Sequence, residues 1–187
     1  MSNAPKHLQD AKTLLSENGF AIGDTWYHGT SSALLDSIKA NGLKRSGDKS
    51  MKQAAKQTMA TIGNAYTESI EPVFLTQSKE VAHYWANQAV RDRSVRVEGT
   101  EQPVVLALSL PETINSAVKP DVGAASLLLL KEGEAYLAHI ASLYQNADLP
   151  APSIDLMSAD RLEYLNKLGM AYLNQDVEAQ YVSVVSE

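Results

Sequence analysis

The sequence predicts an α+β domain, and three observations carry that prediction. Strand-like and helix-like periodicities are interleaved along the chain, but without the regular alternation that builds a parallel sheet. The 187 residues are 44% hydrophobic and 20% charged, the balance of a single globular domain with a core of its own. One stretch, Val104-Val105-Leu106-Ala107-Leu108-Ser109-Leu110, is apolar at all but one position and closed by Pro111, which reads as a buried central strand.

Taken in chain order, residues 5–18 read as a helix, with Leu8, Ala11, Leu14 and Leu15 at helical spacing and Gly19 as the stop. Thr25-Trp26-Tyr27-His28 is a short aromatic strand broken by Gly29. Ser31 and Ser32 are N-cap residues for a helix over 32–41, with Leu34, Leu35 and Ile38 as its apolar stripe. Asn41-Gly42 ends that helix through the left-handed conformation glycine tolerates. Residues 44–70 are polar and only weakly periodic, a long loop or partly helical flap. Val73-Phe74-Leu75 is a second strand, and Ser78 caps a helix running from Lys79 to about Val90. On the wheel of that helix, Val81, Ala82, Trp85, Ala89 and Val90 gather toward the core, while Tyr84 lies on the flank where a ring can overhang a cleft. Helical stretches are expected over 123–144 and 158–174, the second capped by Ser158, with Leu149-Pro150-Ala151-Pro152 connecting them. Tyr181 to Val185 reads as a terminal strand.

Composition excludes several chemistries. With no cysteine there is no disulfide, no thiolate metal site and no cysteine nucleophile. No apolar run approaches the roughly 18 residues of a membrane span, and the polar stretch Met1 to Asp10 lacks the apolar segment of a secretory signal. The expectation is a cytoplasmic protein without membrane contact, although an effector exported without a cleavable signal would read the same. Residues 1–110 hold 12 Lys/Arg and 11 Asp/Glu, whereas residues 111–187 hold 4 and 11. Nucleic acid is an unexpected partner for so acidic a C-terminal part. The one basic cluster, Lys39, Lys44, Arg45, Lys49, Lys52 and Lys56, is either a solvated face or an electrostatic lure for an anionic small molecule or phosphorylated partner.

Motifs for a phosphate loop, a zinc protease or a serine-hydrolase elbow are absent. His7, His28, His83 and His139 stand at spacings that suit no metal site, so no metal is expected. His28 is the distinctive one. It ends a strand, precedes a glycine that permits close backbone approach, and is followed by hydroxyl residues opening a helix. It is either the cap of its own turn or a ligand-binding donor.

The ordered set Tyr27-His28-Gly29-Thr30, Ile38 to Gly42-Leu43, Val73-Phe74-Leu75-Thr76 and Ala82-His83-Tyr84 resembles the ADP-ribosyltransferase superfamily. It looks most like the branch with a His-Tyr-Glu triad, which includes the poly(ADP-ribose) polymerase catalytic domain and diphtheria toxin. The resemblance covers roughly residues 25–110 plus the last strand. It implies a single domain built on antiparallel strands in a split sheet. Its parts would be an N-terminal helix in 1–24, an NAD-binding half in 25–110, a helical insertion in 120–176 and a terminal strand in 177–187. It also implies NAD as substrate, cleaved at the nicotinamide–ribose bond, and transfer of ADP-ribose to a protein or other macromolecular acceptor. By the same resemblance His28 would hold a ribose hydroxyl, the backbone of Gly29 the nicotinamide carboxamide, and Tyr84 would stack on the nicotinamide ring. Tyr27, Phe74 and Thr76 would line the cofactor site, and Thr30 with the 44–70 segment would border the adenosine.

The triad's third position departs from the pattern. The resemblance calls for Glu at the start of the last strand; Gln180-Tyr181-Val182 stands there, with Glu178 two residues earlier. A glutamine accepts a hydroxyl's hydrogen bond but cannot offset developing positive charge as a carboxylate does. Glu178 is either a substitute, sharing a face with residue 180 on an extended strand, or a solvated charge. Two alternatives therefore stand beside the transferase: an NAD- or ADP-ribose-binding module that has lost activity, and an RNA 2′-phosphotransferase, whose second strand histidine is replaced here by Phe74.

Overall fold

The computed structural model describes residues 4–63, 65, 67 and 69–187, and it is an α+β fold in which every strand pairing is antiparallel. Eight strands appear in chain order: β1 Leu15–Ser16, β2 Gly19–Phe20, β3 Thr25–Ser31, β4 Val73–Leu75, β5 Pro103–Ser109, β6 Lys119–Pro120, β7 Ala171–Leu173 and β8 Val182–Val184. Seven α-helices accompany them: α1 Ala11–Leu14, α2 Leu35–Asn41, α3 Lys49–Thr61, α4 Lys79–Ser94, α5 Glu112–Asn115, α6 Glu134–Asn146 and α7 Arg161–Leu168. One sheet has the order β3-β5-β8 and a second has β4-β7-β6.

Among the described residues the two sheets are joined by one backbone bridge. Tyr27 and Thr76 exchange backbone hydrogen bonds of 2.8 and 2.9 Å, and beyond them β3 and β4 diverge. A second bridge of the same kind, Leu43 with Val177, ties the exit of α2 to the approach of the last strand. The main core gathers Trp26, Leu106 and Leu108 from the first sheet with Val73, Leu75, Ala171 and Leu173 from the second. Burial alternates along β4 and β7, as a strand covered on one face requires. A second core joins α6 and α7 to Phe20 and Val81 through Tyr136, Ile140, Leu143, Tyr144 and Leu168.

Helix α4 packs across β3 and β5 and is fixed at its first turn from two directions. Ser78 Oγ accepts from the backbone N–H groups of Glu80 and Val81, as an N-cap residue should. Asp10 accepts from Lys79 N at 2.8 Å, Glu80 N at 3.2 Å and Ser78 Oγ at 2.7 Å. Glu80 returns the favour, its carboxylate accepting from Ala11 N at 3.3 Å. Anionic groups are thus concentrated where the helix dipole is positive, and Arg91 and Arg93 occupy the last turn where it is negative.

Four expectations are corrected. The helix over 5–18 is only α1, because Gly19 at φ 103° turns the chain into the hairpin of β1 and β2. The helix expected over 158–174 is capped by Asp160 rather than Ser158, and Gly169 at φ 69° ends it at Leu168. The chain then enters β7, the middle strand of its sheet, so 120–176 is not a purely helical insertion. The helix over 123–144 begins as two 3-10 turns and becomes α-helical only at Glu134. The polar 44–70 segment is partly helical, one of the two forms expected of it: α3 occupies 49–61 and is capped by Asp48; positions 64, 66 and 68 of that segment lie outside the described residues. Among the described residues no helix is long and apolar enough to cross a membrane.

Candidate active site

Where β3 and β4 separate, a cleft opens with two lobes. The larger, about 700 Å³, is lined by Tyr27, Trp85, Gln88, Asp92, Asp121 and Tyr172 among others. The smaller, about 390 Å³, is walled by α2, the 42–48 turn and the start of α3, and carries Lys44 and Lys52. Both volumes are those of small-molecule sites. His28, Gly29, Glu71, Pro72, Phe74 and Ala89 belong to both lobes and form the waist between them. Four of the expected cofactor-site residues, Tyr27, His28, Gly29 and Phe74, therefore meet at or beside one constriction. Thr76 lines the larger lobe and Thr30 the smaller.

His28 is held in one tautomer. Its Nδ1 lies 2.8 Å from the carbonyl oxygen of Phe74. A carbonyl only accepts, so Nδ1 carries the hydrogen and Nε2 is the acceptor of the neutral ring. Burial lowers the pKa of His28 below the ordinary histidine value, more than the bond to Phe74 raises it, so the ring is neutral at pH 7.

Gly29 is constrained on two sides. A Cβ here would stand 2.1 Å from the carbonyl oxygen of Ala82 and 2.5 Å from the amide nitrogen of Ala86, so the absent side chain lets α4 lie directly on β3. Along an antiparallel strand the N–H and C=O of successive residues point to opposite edges. Tyr27 points toward β4 through Thr76, and Ser32 points the other way, to Gln102 O at 2.9 Å. Gly29, two residues after Tyr27, therefore turns its N–H and C=O to the edge from which β4 has departed. A donor and an acceptor stand side by side there, next to the imidazole.

Tyr84 is not where its flank position suggested. Trp85, Gln88, Ala89 and Asp92 form the face of α4 that lines the cleft, the i, i+3, i+4, i+7 set of one helix face. Tyr84 is about a hundred degrees away on that helix. Its ring stacks on His139 of α6 at 4.7 Å and 18°, and meets Trp85 edge-on at 5.3 Å. Helix α6 covers the side of α4 that the sequence left open. The aromatic groups presented to the cleft are instead Trp85, Tyr172, Tyr27 and Phe74, whose side chain is 42% exposed at the waist.

No family model matches the chain, and no curated protein or solved structure matches it either.

Glu178 and Gln180 also lie outside both lobes. They are exposed, and Gln180 Nε2 donates to Glu178 Oε2 at 3.0 Å. Registry explains the displacement: Val184, not residue 180, is level with His28, because both pair with Leu106 of β5. Gln180 lies in a 3-10 turn, Ala179–Tyr181, that precedes β8, four residues before that level and two strands across from His28, so it does not share an extended face with Glu178. Among the described residues, the carboxylates that line the cleft are Glu71, Asp92 and Asp121 in the larger lobe, and Asp48 with Glu71 in the smaller. They come from four separate segments, and among the described residues Glu71 alone reaches both lobes.

A buried ionic group braces the smaller lobe. Arg93, 5% exposed, forks onto Glu101 with bonds of 2.7 and 2.9 Å and also donates to Asp48. Ser31 donates to the same Glu101. The Arg93 guanidinium and the Ser31 hydroxyl hold the Glu101 carboxyl below its ordinary pKa against the opposing effect of burial. Asp48 in turn caps α3, accepting from Met51 N at 3.0 Å. Helix α3, none of whose residues is buried, is anchored to the domain through this cap.

The histidines set an acid limit. Burial lowers the folded-state pKa of His28 and His83, and brings His139 down to about 4. The unfolded chain takes up protons below about pH 6.5 that the folded chain refuses, so stability is intact above that pH and declines as pH falls. The melting temperature is expected to drop steadily from pH 7 to pH 4.5, and His139→Gln should flatten the fall. An unchanged melting temperature across that interval in the wild type would rule this out.

Proposed function

We propose that this protein binds NAD across the two-lobed cleft and cleaves it at the nicotinamide–ribose bond, as an ADP-ribosyltransferase acting on a macromolecular acceptor. The observation that carries the reading is the exposed backbone pair of Gly29 beside a neutral His28, at a constriction joining an aromatic lobe to one bearing lysines. A carboxamide needs one donor and one acceptor side by side, which the N–H and C=O of Gly29 supply. A nicotinamide ring in the larger lobe would find Trp85 and Tyr172, and its ribose would lie at the waist, where Nε2 of His28 can accept from a hydroxyl. Pyrophosphate and adenosine would extend toward Lys44 and Lys52, whose charge suits an anionic chain. Preorganised groups of this kind act on the charge that develops as nicotinamide departs.

Nicotinamide release from NAD tests the proposal. The wild type should release nicotinamide, and His28→Ala should reduce the rate by roughly 100-fold. Equal release by both proteins would reject the assignment of His28. Glu178 and Gln180 standing away from the cleft favours a second reading, an NAD-binding module without turnover. That reading expects NAD to raise the melting temperature by mass action while no nicotinamide appears.

A further inference from the structure

We infer that Glu71 supplies the carboxylate of this site, in place of a residue at the head of the last strand. The inference rests on the reading of the cleft as an NAD site and goes beyond it. Among the described residues the two lobes share six, and Glu71 is the one of these with a negative charge. A dinucleotide spanning both lobes has its nicotinamide-side ribose at that waist, so the carboxylate adjoins C1′, where positive charge develops. Asp92 and Asp121 line the larger lobe alone.

The structure holds Glu71 at both ends. Its backbone N–H donates to Ser46 Oγ at 2.6 Å, and its Oε1 accepts from Ser69 Oγ at 2.8 Å. Ser46 adopts φ 49°, a left-handed conformation that is costly for a residue other than glycine. Its hydroxyl also lies 3.4 Å from the carbonyl oxygen of Ser69. A strained serine thus clamps the 69–71 segment against the waist, and a second serine aims the carboxylate. Neither bond serves the core, since Glu71 is exposed.

The step balances with water as acceptor. The C1′–N1 bond breaks and its electron pair goes to the pyridinium nitrogen, giving neutral nicotinamide. A water oxygen forms the new bond at C1′, and its proton passes to the Glu71 carboxylate and on to solvent. NAD and water become nicotinamide, ADP-ribose and one proton. A macromolecular hydroxyl takes the place of water in transfer.

The test compares nicotinamide release and NAD-induced thermal shift among wild type, Glu71→Gln, Glu178→Gln and Ser69→Ala. Glu71→Gln should keep the NAD-induced shift, keep KM for NAD within about threefold, and lose kcat by about 100-fold or more. Ser69→Ala should lower kcat several-fold with KM unchanged, and it carries the test if Glu71→Gln does not fold. Release by Glu71→Gln at the wild-type rate, or loss in Glu178→Gln instead, overturns the assignment of Glu71 and leaves the NAD reading standing. A wild type that binds NAD without releasing nicotinamide overturns Glu71 and the transferase together. A wild type that does not bind NAD overturns the reading of the cleft itself.

Discussion

Gly29→Ala is expected to lower the melting temperature by roughly 10 °C. The added carbon would overlap the carbonyl of Ala82 and the amide of Ala86, both backbone atoms of a helix that cannot rotate away. Relief requires α4 to lift from β3, and α4 buries Val81, Ala82 and Ala86 on the domain. Overpacking against movable side chains costs about 1–3 kcal/mol, and collision with two fixed backbone atoms of one helix lies at or above the top of that range. In a chain of this size each kcal/mol is worth roughly 2–4 °C. Thermal unfolding followed by circular dichroism measures the loss directly. A shift under 2 °C would mean that the contact between α4 and β3 is looser than described. The glycine is therefore required by packing.

Arg93→Ala is the second large effect. It leaves the carboxylates of Glu101 and Asp48 facing each other's vicinity without their shared cation, and breaking a buried pair in this way typically costs about 3–5 kcal/mol. Glu101 is the more exposed to that penalty, because its side chain is only 10% accessible. The loss has a local signature, since Asp48 caps α3 and Arg93 anchors Asp48. Limited proteolysis should cut within 49–61 faster in Arg93→Ala than in the wild type. Arg93→Lys keeps the charge but not the fork and should recover only part of the stability. Equal melting temperatures for wild type and Arg93→Ala would show that the group is solvated. Lower pH acts on the same group. The depressed pKa of Glu101 contributes stability above its ordinary carboxylate value, and that contribution disappears as pH falls through the folded-state value.

The elements legible in the sequence are those whose signals are local. Ser78 announces α4, Gly42 at φ 77° ends α2, and the aromatic run before Gly29 is a strand, although β3 is not broken there and runs through Gly29 to Ser31. What was not legible depends on partners far along the chain. Ala171-Tyr172-Leu173 continues a helical pattern on paper, and it becomes a strand because Val73, Phe74 and Leu75 wait about a hundred residues earlier. The site divides in the same way. His28, Gly29 and Phe74 follow from their motifs, whereas Glu71, Asp121 and Tyr172 are brought together only by the closing of two sheets. Tyr84 shows the limit of periodicity, which gives a side chain's direction on its own helix but not which neighbour covers that side. Gln180 shows another, since it sits in a 3-10 turn ahead of β8 while Val184 is the residue level with His28.

The mutual capping of Asp10 with the head of α4 constrains how the molecule can be made. The carboxylate of Asp10 bonds to groups 68 to 70 residues downstream. At ribosomal speeds of about 5–20 residues per second, roughly 4–14 s of translation separate the emergence of the two halves. During that interval the nascent α1 has too few residues to persist alone. The leading segment thus docks late, onto a scaffold synthesised after it.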